Sequence, residues 1–312
     1  MHFAITGATG HIGRRLAEIL LGKRHKVRVI GRSADGLMPL TAAGAEACVG
    51  SLEDGSFLAR AFGGTDAVFA MIPPNPQAPA FREFQNSVGA STAAAVKKAG
   101  VKRVVNLSSQ GADLPEGTGP IVGLHDQEQR LNAMKDADVV HLRPSFFMEN
   151  LMMNMNLIHS QGINGTPMRG DLLFPAIATR DIAAAAADCL LGMQFPGKSV
   201  YDLLGERDLS MNEITRILGK AIGKPDLPYV QFPYDAAEKA MASSGLSQDL
   251  ARLYIEMHRA FNEGRIMHNV RRTPDNTTPT SIEEFAKTFA AAYKIAFIVA
   301  PPLIPRPAGD RG

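Results

Sequence analysis

The sequence predicts an α/β protein with a doubly wound parallel sheet and a smaller, mainly helical lobe. Three observations lead to this prediction. A short apolar run near residue 3 leads directly into a glycine-rich turn and a helical stretch. Through the first half of the chain, short β-branched runs without polar alternation, typical of strands buried on both faces, alternate with helical stretches. After Pro144 the segments become mixed and mainly helical.

This alternation can be followed element by element. The predicted strands are residues 3–5, 26–30, 45–49, 66–70, 103–107 and 138–142. The predicted helices among them are residues 14–21, 56–62, 81–99 and 126–134. Because such alternation joins parallel strands by right-handed crossovers, the helices are expected on both faces of one sheet. Beyond them, after an alanine-rich stretch at residues 181–191, we predict a strand at residues 199–203 and helices at residues 211–222, 234–243, 248–263 and 282–293.

Composition excludes several classes of protein. The chain has 312 residues, of which 45% are hydrophobic, so it can bury a full core. A net charge of +2, without a basic cluster interleaved with aromatics, predicts no direct nucleic-acid partner. Cys48 and Cys189 lie in unrelated apolar contexts, which favours two reduced thiols over a disulfide or metal site. We find no signal peptide, and the apolar stretch 295–300 is too short to span a bilayer, so we expect a cytoplasmic protein that does not bind membranes.

The most informative segment is Thr6-Gly7-Ala8-Thr9-Gly10-His11-Ile12-Gly13. Gly7 permits a tight turn, Gly10 lets the backbone approach a pyrophosphate, and Gly13 lets helix and strand pack closely. The following helix offers unpaired N–H groups and a partial positive charge to phosphates. An ordinary βα turn explains the regular glycine spacing poorly. We therefore predict a Rossmann-type dinucleotide site whose turn contacts are Gly7, Thr9, Gly10, His11, Ile12 and Gly13.

The end of the second predicted strand indicates which dinucleotide binds. An NAD-binding unit places an acidic residue there to bond the ribose 2′-hydroxyl. This chain has Arg32 and Ser33 instead, and a guanidinium with a neighbouring hydroxyl suits a 2′-phosphate. The pattern favours NADP(H) over NAD(H), although Arg32 as a solvated loop charge is the alternative. Ser51 and Leu52, after the third strand, fall where the adenine would lie.

Two further segments carry polar groups toward the expected nicotinamide. Ser108, Ser109 and Gln110 end the fifth strand, and the carboxyl ends of parallel strands form the ligand crevice. His125 and Gln129 follow at a spacing that places both on one helical face. His125 is a candidate proton donor, because imidazole titrates near neutrality. The alternative is a histidine at the start of a helix that bonds ribose or backbone. Gln129 can bond a ribose hydroxyl but supplies no charge.

Taken together, these motifs resemble the NmrA-like branch of the atypical short-chain dehydrogenase/reductases. The resemblance covers roughly residues 1–290 and rests on residues 6–13, Gly31-Arg32, Asn106 to Ser109, the His125 segment and Arg143 to Asn150. Short-chain reductases have Tyr and Lys where His125 and Gln129 stand, and this branch often has His and Lys. Gln129 departs from that pattern. Members of the branch include quinone and dye reductases, redox sensors, and co-regulators that bind a dinucleotide without turnover.

The resemblance also implies where the substrate binds. Pro144 and Ser145 would pass the nicotinamide carboxamide. Two aromatics and a methionine after the strand would form an apolar wall for a flat acceptor, although core packing is the alternative. The implied substrate contacts are Phe146, Phe147, Met148 and Asn150, and Gln110 after the fifth strand is a further predicted contact. Met71, Ile72 and Pro73, after the fourth strand, would edge the cofactor.

Two functions from different classes follow. The first is NADPH-dependent reduction of a quinone or similar conjugated small molecule without the Tyr/Lys dyad, because a quinone yields a stabilised phenolate and needs little acid assistance. The second is a non-catalytic NADP(H) sensor that acts through a protein partner. In both cases we predict no metal. We expect a binding core at 1–150, a substrate-side lobe at 151–300 that partly returns to the core, and a flexible tail at 301–312.

Overall fold

The computed structural model describes residues 1–192 and 195–299, so the predicted tail at 301–312 lies outside the described residues. The strands are β1 (His2–Ile5), β2 (Lys26–Gly31), β3 (Glu46–Val49), β4 (Ala67–Ala70), β5 (Arg103–Leu107), β6 (Asp138–Pro144), β7 (Phe146–Phe147), β8 (Asn164–Thr166), β9 (Phe174–Ile177), β10 (Lys198–Leu203), β11 (Asp208–Leu209) and β12 (Tyr229–Gln231). The helices are α1 (His11–Gly22), α2 (Ala34–Ala42), α3 (Gly55–Phe62), α4 (Phe81–Ala99), α5 (Val122–Asn132), α6 (Met155–Gln161), α7 (Thr179–Gly192), α8 (Met211–Ala221), α9 (Tyr234–Ser243), α10 (Gln248–Asn262) and α11 (Ile282–Lys294).

A seven-stranded sheet of order β10-β6-β5-β4-β1-β2-β3 forms the centre of the molecule. Every neighbouring pair in it is parallel. This confirms the predicted α/β fold class. The direction of winding reverses between β1 and β4, and in such sheets the ligand crevice opens beyond the carboxyl ends of the strands at that point.

Apolar side chains cover both faces of this sheet. One face packs against α1 and α7, through residues such as Leu16 and Ile182, and the other against α3, α4 and α5. Both α7 and β10 follow residue 150 in the chain, so the sheet and its core include segments from the second half. A separate apolar cluster, which includes Phe174, Leu218 and Phe289, fills the lobe built from β7, β9, α8 and α11.

Several elements differ from the sequence prediction in extent or were not foreseen. The helix α2 contains Pro39, and such a residue usually argues against a helix interior. The helix α5 begins at Val122, four residues before the predicted start, and ends at Asn132. The short strands of the lobe, such as β8 and β12, have too few residues to show an apolar period.

A helical hairpin of α9 and α10 lies over the loop between β4 and α4. Ser247 N donates to Pro76 O at 2.8 Å, and Phe81 N donates to Asp249 Oδ2 at 2.8 Å. Ala78, Phe81 and Leu250 form a small buried cluster beneath these bonds. This proline-rich loop is therefore held against the lobe. None of the helices in the described part of the chain combines the length and apolar character needed to cross a bilayer.

Candidate functional site

The glycine turn after β1 leaves a helix start open to solvent. Gly7 has φ +65°, a conformation that favours glycine, and Gly10 N donates to Gly7 O at 3.0 Å. A Cβ on Gly13 would lie 2.4 Å from Gly7 O, so only glycine lets α1 approach the turn this closely. The N-cap of α1 is Gly10, which has no side chain to cap the first turn. Thr9, Gly10 and His11 are exposed, so the first amides of α1 face outward.

The loop after β4 lies directly beside this turn. A Cβ on Gly7 would lie 2.5 Å from Met71 Sδ. Met71 N donates to Thr6 Oγ1 at 2.9 Å, and Thr6 N donates to Phe69 O at 3.0 Å. Met71, Ile72 and Pro73 are partly buried along this edge. The ends of β1 and β4 are thus tied together where the winding reverses.

The ends of β2 and β3 form the next part of the crevice. Gly50 N donates to Gly31 O at 3.0 Å, so the segments after these strands start side by side. Arg32 is exposed and makes no hydrogen bond or ion pair within residues 1–192 and 195–299. Ser33 is the N-cap of α2, but its hydroxyl does not cap the helix. A Cβ on Gly36 would lie 3.0 Å from Thr9 Cγ2, so the start of α2 lies against the glycine turn.

The residues predicted beside the adenine lie just beyond β3. Ser51 is exposed, and its hydroxyl accepts a hydrogen bond from Glu53 N at 3.2 Å. Leu52 is partly buried against the sheet core. Their contact with a ligand stays a prediction.

A buried ion pair joins α5 to the ends of β5 and β6. Arg143 donates from Nε and Nη2 to Glu128 at 2.9 and 2.6 Å, and Glu128 is only 2% exposed. Ser108 Oγ donates to the same carboxylate at 2.5 Å. Burial alone would lower the pKa of Arg143, but its hydrogen bonds to Glu128 raise that pKa overall. The carboxylate is thus satisfied away from water, whereas Arg143 keeps 16% of its side chain exposed and also lies 4.0 Å from Asp113.

Sequence reasoning did not single out Glu128. A signal was present, because Arg143 is the one charged residue between Val139 and Pro144 of an otherwise buried strand. Such a residue needs a partner, and buried charges are almost always paired.

His125 points its ring toward the loop after β5. Its Nδ1 lies 2.8 Å from Ala112 O, and because a carbonyl only accepts, Nδ1 carries the proton. In the neutral ring Nε2 is then an acceptor, so His125 can donate from Nε2 only as an imidazolium. This backbone bond was one of the two interpretations of His125. Gln129 is exposed one turn further along α5, and its ribose contact stays a prediction.

A second histidine near the site is a structural group. His141 Nδ1 accepts from Asn106 Nδ2 at 3.1 Å, and His141 Nε2 donates to Asn132 Oδ1 at 3.0 Å. The side chain is 1% exposed, and burial lowers the pKa of His141 to about 4. It is therefore neutral at physiological pH and holds α5 to β5 and β6.

Two polar side chains at the ends of β5 and β6 have no partner in the part of the chain that the structure describes. Both amide atoms of Gln110 and the hydroxyl of Ser145 are unbonded. Gln110 is 2% exposed and Ser145 is 6% exposed. Their backbones are fixed, because Gln110 N donates to Pro144 O at 3.2 Å and Ser145 N donates to Leu203 O at 3.0 Å.

Comparison with known proteins identifies the family. The model of the NmrA-like family matches residues 2–286. The chain belongs to the NmrA-like family. It is 30% identical to the NAD(P)H azoreductase of Xenophilus azovorans over 94% of this chain and 99% of that protein. It is 28% identical to quinone oxidoreductase 2 of Escherichia coli (strain K12) over 80% of this chain and 84% of that protein.

Solved structures show the same fold as this NmrA-like chain. The NADPH-dependent quinone oxidoreductase from Escherichia coli, complexed with NADPH, has a TM-score of 0.75 at 22% identity and covers 95% of this chain and 99% of its own. The triphenylmethane reductase of Citrobacter sp., complexed with NADP(H), has a TM-score of 0.76 at 20% identity, with coverages of 92% and 99%.

In this NmrA-like chain the two aromatics after β6 face different neighbours. Phe146 packs edge-on against Phe174 of the lobe, with ring centroids 5.3 Å apart, whereas Phe147 packs against the sheet core. Met148 is 1% exposed within the lobe core, and Asn150 is exposed. The structure thus brings the two rings to the junction of core and lobe, and the wall that they would form for a substrate stays a prediction.

Proposed function

We propose that the chain is an NADPH-dependent reductase of a quinone or a similar conjugated small molecule. The observation that carries this proposal is that few proton donors are free after the carboxyl end of β5 and in the first turn of α5. The Ser108 hydroxyl is committed to Glu128, and Nδ1 of His125 is committed to Ala112 O. An acceptor that becomes a stabilised phenolate after hydride transfer needs less acid assistance than a ketone does. The printed names of the relatives, which include azoreductase and quinone oxidoreductase, support this class.

The residues of the crevice fit a dinucleotide. Gly7 and Gly13 keep the turn tight, because a Cβ on either would meet protein atoms, and the uncapped amides at the start of α1 suit a pyrophosphate. The free guanidinium of Arg32, with Ser33 beside it, suits a 2′-phosphate, which is our reason for NADP(H) over NAD(H). The unpartnered hydroxyl of Ser145 suits the nicotinamide carboxamide. When bound, the reduced nicotinamide would supply the hydride.

One experiment tests both the cofactor and the activity. NADPH fluorescence is followed on mixing with a slight excess of protein, and menadione is then added under anaerobic conditions. We expect a change on mixing, and then protein-dependent loss of the reduced nicotinamide signal. Binding without consumption above the protein-free rate would contradict the reductase and favour the NADP(H) sensor acting through a protein partner. No binding would contradict both functions.

A further inference from the structure

We propose that the side-chain amide of Gln110 donates a hydrogen bond to the substrate oxygen on which negative charge develops during reduction. This inference rests on the proposed function and assigns a catalytic group to it. Gln110 is already a predicted substrate contact, and an anomaly in the structure gives it a chemical role.

The anomaly is a buried amide with all its hydrogen-bonding capacity unused. Gln110 is 2% exposed, and neither Nε2 nor Oε1 has a partner among the described side chains and backbone. Native proteins leave few buried polar groups unbonded, and such a group points to a ligand, a water or a catalytic role. Gln110 directly follows Ser109 at the carboxyl end of β5, where ligands of doubly wound sheets bind.

The neighbouring polar groups are already committed. Ser108 Oγ donates to Glu128, and Ser109 Oγ donates to Gln110 O at 3.0 Å. His125 uses its Nδ1 proton to bond Ala112 O, so a neutral ring has no second proton to donate from Nε2. The remaining unbonded donor at these strand ends is Ser145, to which the proposed function gives the nicotinamide carboxamide.

The geometry of glutamine permits this contact. The backbone of Gln110 is fixed by its bond to Pro144 O, but three side-chain torsions can turn the amide toward the crevice. Because the amide is unsatisfied where it lies, turning it toward a ligand breaks no hydrogen bond. The site is also shielded from bulk water, and a donor is worth more in a low-dielectric site than in solution.

The chemical step places the charge where the amide can meet it. The quinone accepts a hydride, which carries two electrons and a proton, while the reduced nicotinamide is oxidised. The product is the hydroquinone monoanion, with its negative charge on one oxygen. Nε2–H of Gln110 stabilises this oxygen, and water then supplies the last proton to give the hydroquinone. The amide itself neither gains nor loses a proton.

The test compares Gln110→Met with the wild-type protein. Met keeps the volume of the side chain and removes both unbonded atoms, so we expect the thermal unfolding midpoint to stay the same or rise. We expect kcat for menadione to fall by roughly 10- to 100-fold, the cost of losing one hydrogen bond to a charged oxygen, because a stabilised phenolate needs less help than the oxyanion of acyl transfer. KM for menadione and the Kd for NADPH should stay within about threefold. Gln110→Glu keeps the shape and offers acceptors alone once its carboxyl is ionised, so at high pH it should lose at least as much kcat.

A control variant and the wild-type protein distinguish a failure of the Gln110 role from a failure of the proposed reductase. Ser145→Ala is the matched control, because it removes the other unbonded group and should weaken NADPH binding more than it lowers kcat. Wild-type turnover with an unchanged kcat in Gln110→Met would overturn the role of Gln110 alone. A fall in the unfolding midpoint with unchanged kcat would assign the amide to a buried water. A wild-type protein that binds NADPH but does not reduce menadione would overturn the proposed function and this inference with it.

Discussion

At the scale of single residues, Arg32 is the side chain that we propose distinguishes NADPH from NADH. Its guanidinium is exposed beside the start of α2, and the nearest backbone neighbour, Ser33, leaves its own hydroxyl free of the helix cap. NADPH and NADH differ by the 2′-phosphate alone. A charged group that meets only this phosphate should therefore affect one cofactor and not the other.

We predict that Arg32→Ala weakens NADPH binding by roughly 10- to 100-fold, because a charge-assisted hydrogen bond contributes about 1.5–3 kcal/mol. NADH has no 2′-phosphate for Arg32 to contact, so its binding should change by less than about twofold. Fluorescence titration with each cofactor measures both values. Arg60→Ala, which removes an exposed arginine of α3, is the matched control and should leave both unchanged. Equal weakening of NADPH and NADH by Arg32→Ala would contradict a phosphate contact.

The buried histidine His141 gives a second prediction at this scale. Its pKa is about 4 in the folded chain and about 6.5 in an unfolded one, so between these values the unfolded state binds more protons. Stability should therefore fall as the pH is lowered from 6.5 toward 4, by about 3 kcal/mol in all. Urea unfolding across this range measures the slope. His141→Gln, which does not titrate, should flatten this part of the profile, and an unchanged slope would show that other groups cause it.

At the scale of elements, α1 depends on a close approach to the glycine turn. A Cβ on Gly13 would lie 2.4 Å from Gly7 O, whereas a Cβ on Gly22 of the same helix meets nothing within 4 Å. We predict that Gly13→Ala lowers the free energy of unfolding by about 1–3 kcal/mol through overpacking. Gly22→Ala should leave it unchanged or raise it by up to about 1 kcal/mol. Similar effects of the two changes, measured by urea unfolding, would argue against a packing cause.

The helix α5 is held by two arginine–carboxylate pairs of very different burial. Glu128 meets Arg143 beneath the helix, and Asp126 meets Arg82 of α4 at the surface. Glu128→Gln leaves the half-buried guanidinium of Arg143 with the longer contact to Asp113 at 4.0 Å and should cost up to about 3–5 kcal/mol of unfolding free energy. Asp126→Asn should cost less than about 1 kcal/mol, because exposed pairs are screened by water. Equal costs would mean that Glu128 is more hydrated than its 2% exposure indicates.

At the scale of the whole molecule, the sheet is completed by distant parts of the chain. The edge strand β10 pairs with β6, and Ile182 and Leu190 of α7 are buried in the same cluster as Leu16 of α1. A fragment of residues 1–150 would lack both and would expose this apolar face to water.

We therefore predict that the fragment of residues 1–150 does not unfold cooperatively, whereas the whole chain does. Circular dichroism during urea unfolding, together with limited proteolysis, makes the comparison. A cooperative transition in the fragment would instead support a boundary near residue 150. The boundary at residue 150 stays a prediction. Because α7 packs on the sheet formed by residues before this boundary, we expect residues 1–150 and 151–300 to fold together.

The fold class, the strands β1 to β6 along the chain and the glycine turn could all be predicted from the sequence. Each of these depends on local patterns, because apolar period, β-branching and a positive φ at Gly7 are set by residues close in the chain. The sequence prediction missed α2, whose Pro39 disguises a local helix. Which polar groups at the site lack a hydrogen-bond partner depends instead on tertiary contacts. Ser108 and Arg143 reach Glu128 from 20 and 15 residues away, and whether the amide of Gln110 finds a partner depends on side chains that packing brings together. A hydrogen bond between distant residues leaves no period in the sequence, so the donors left for a substrate emerge only after the chain has folded.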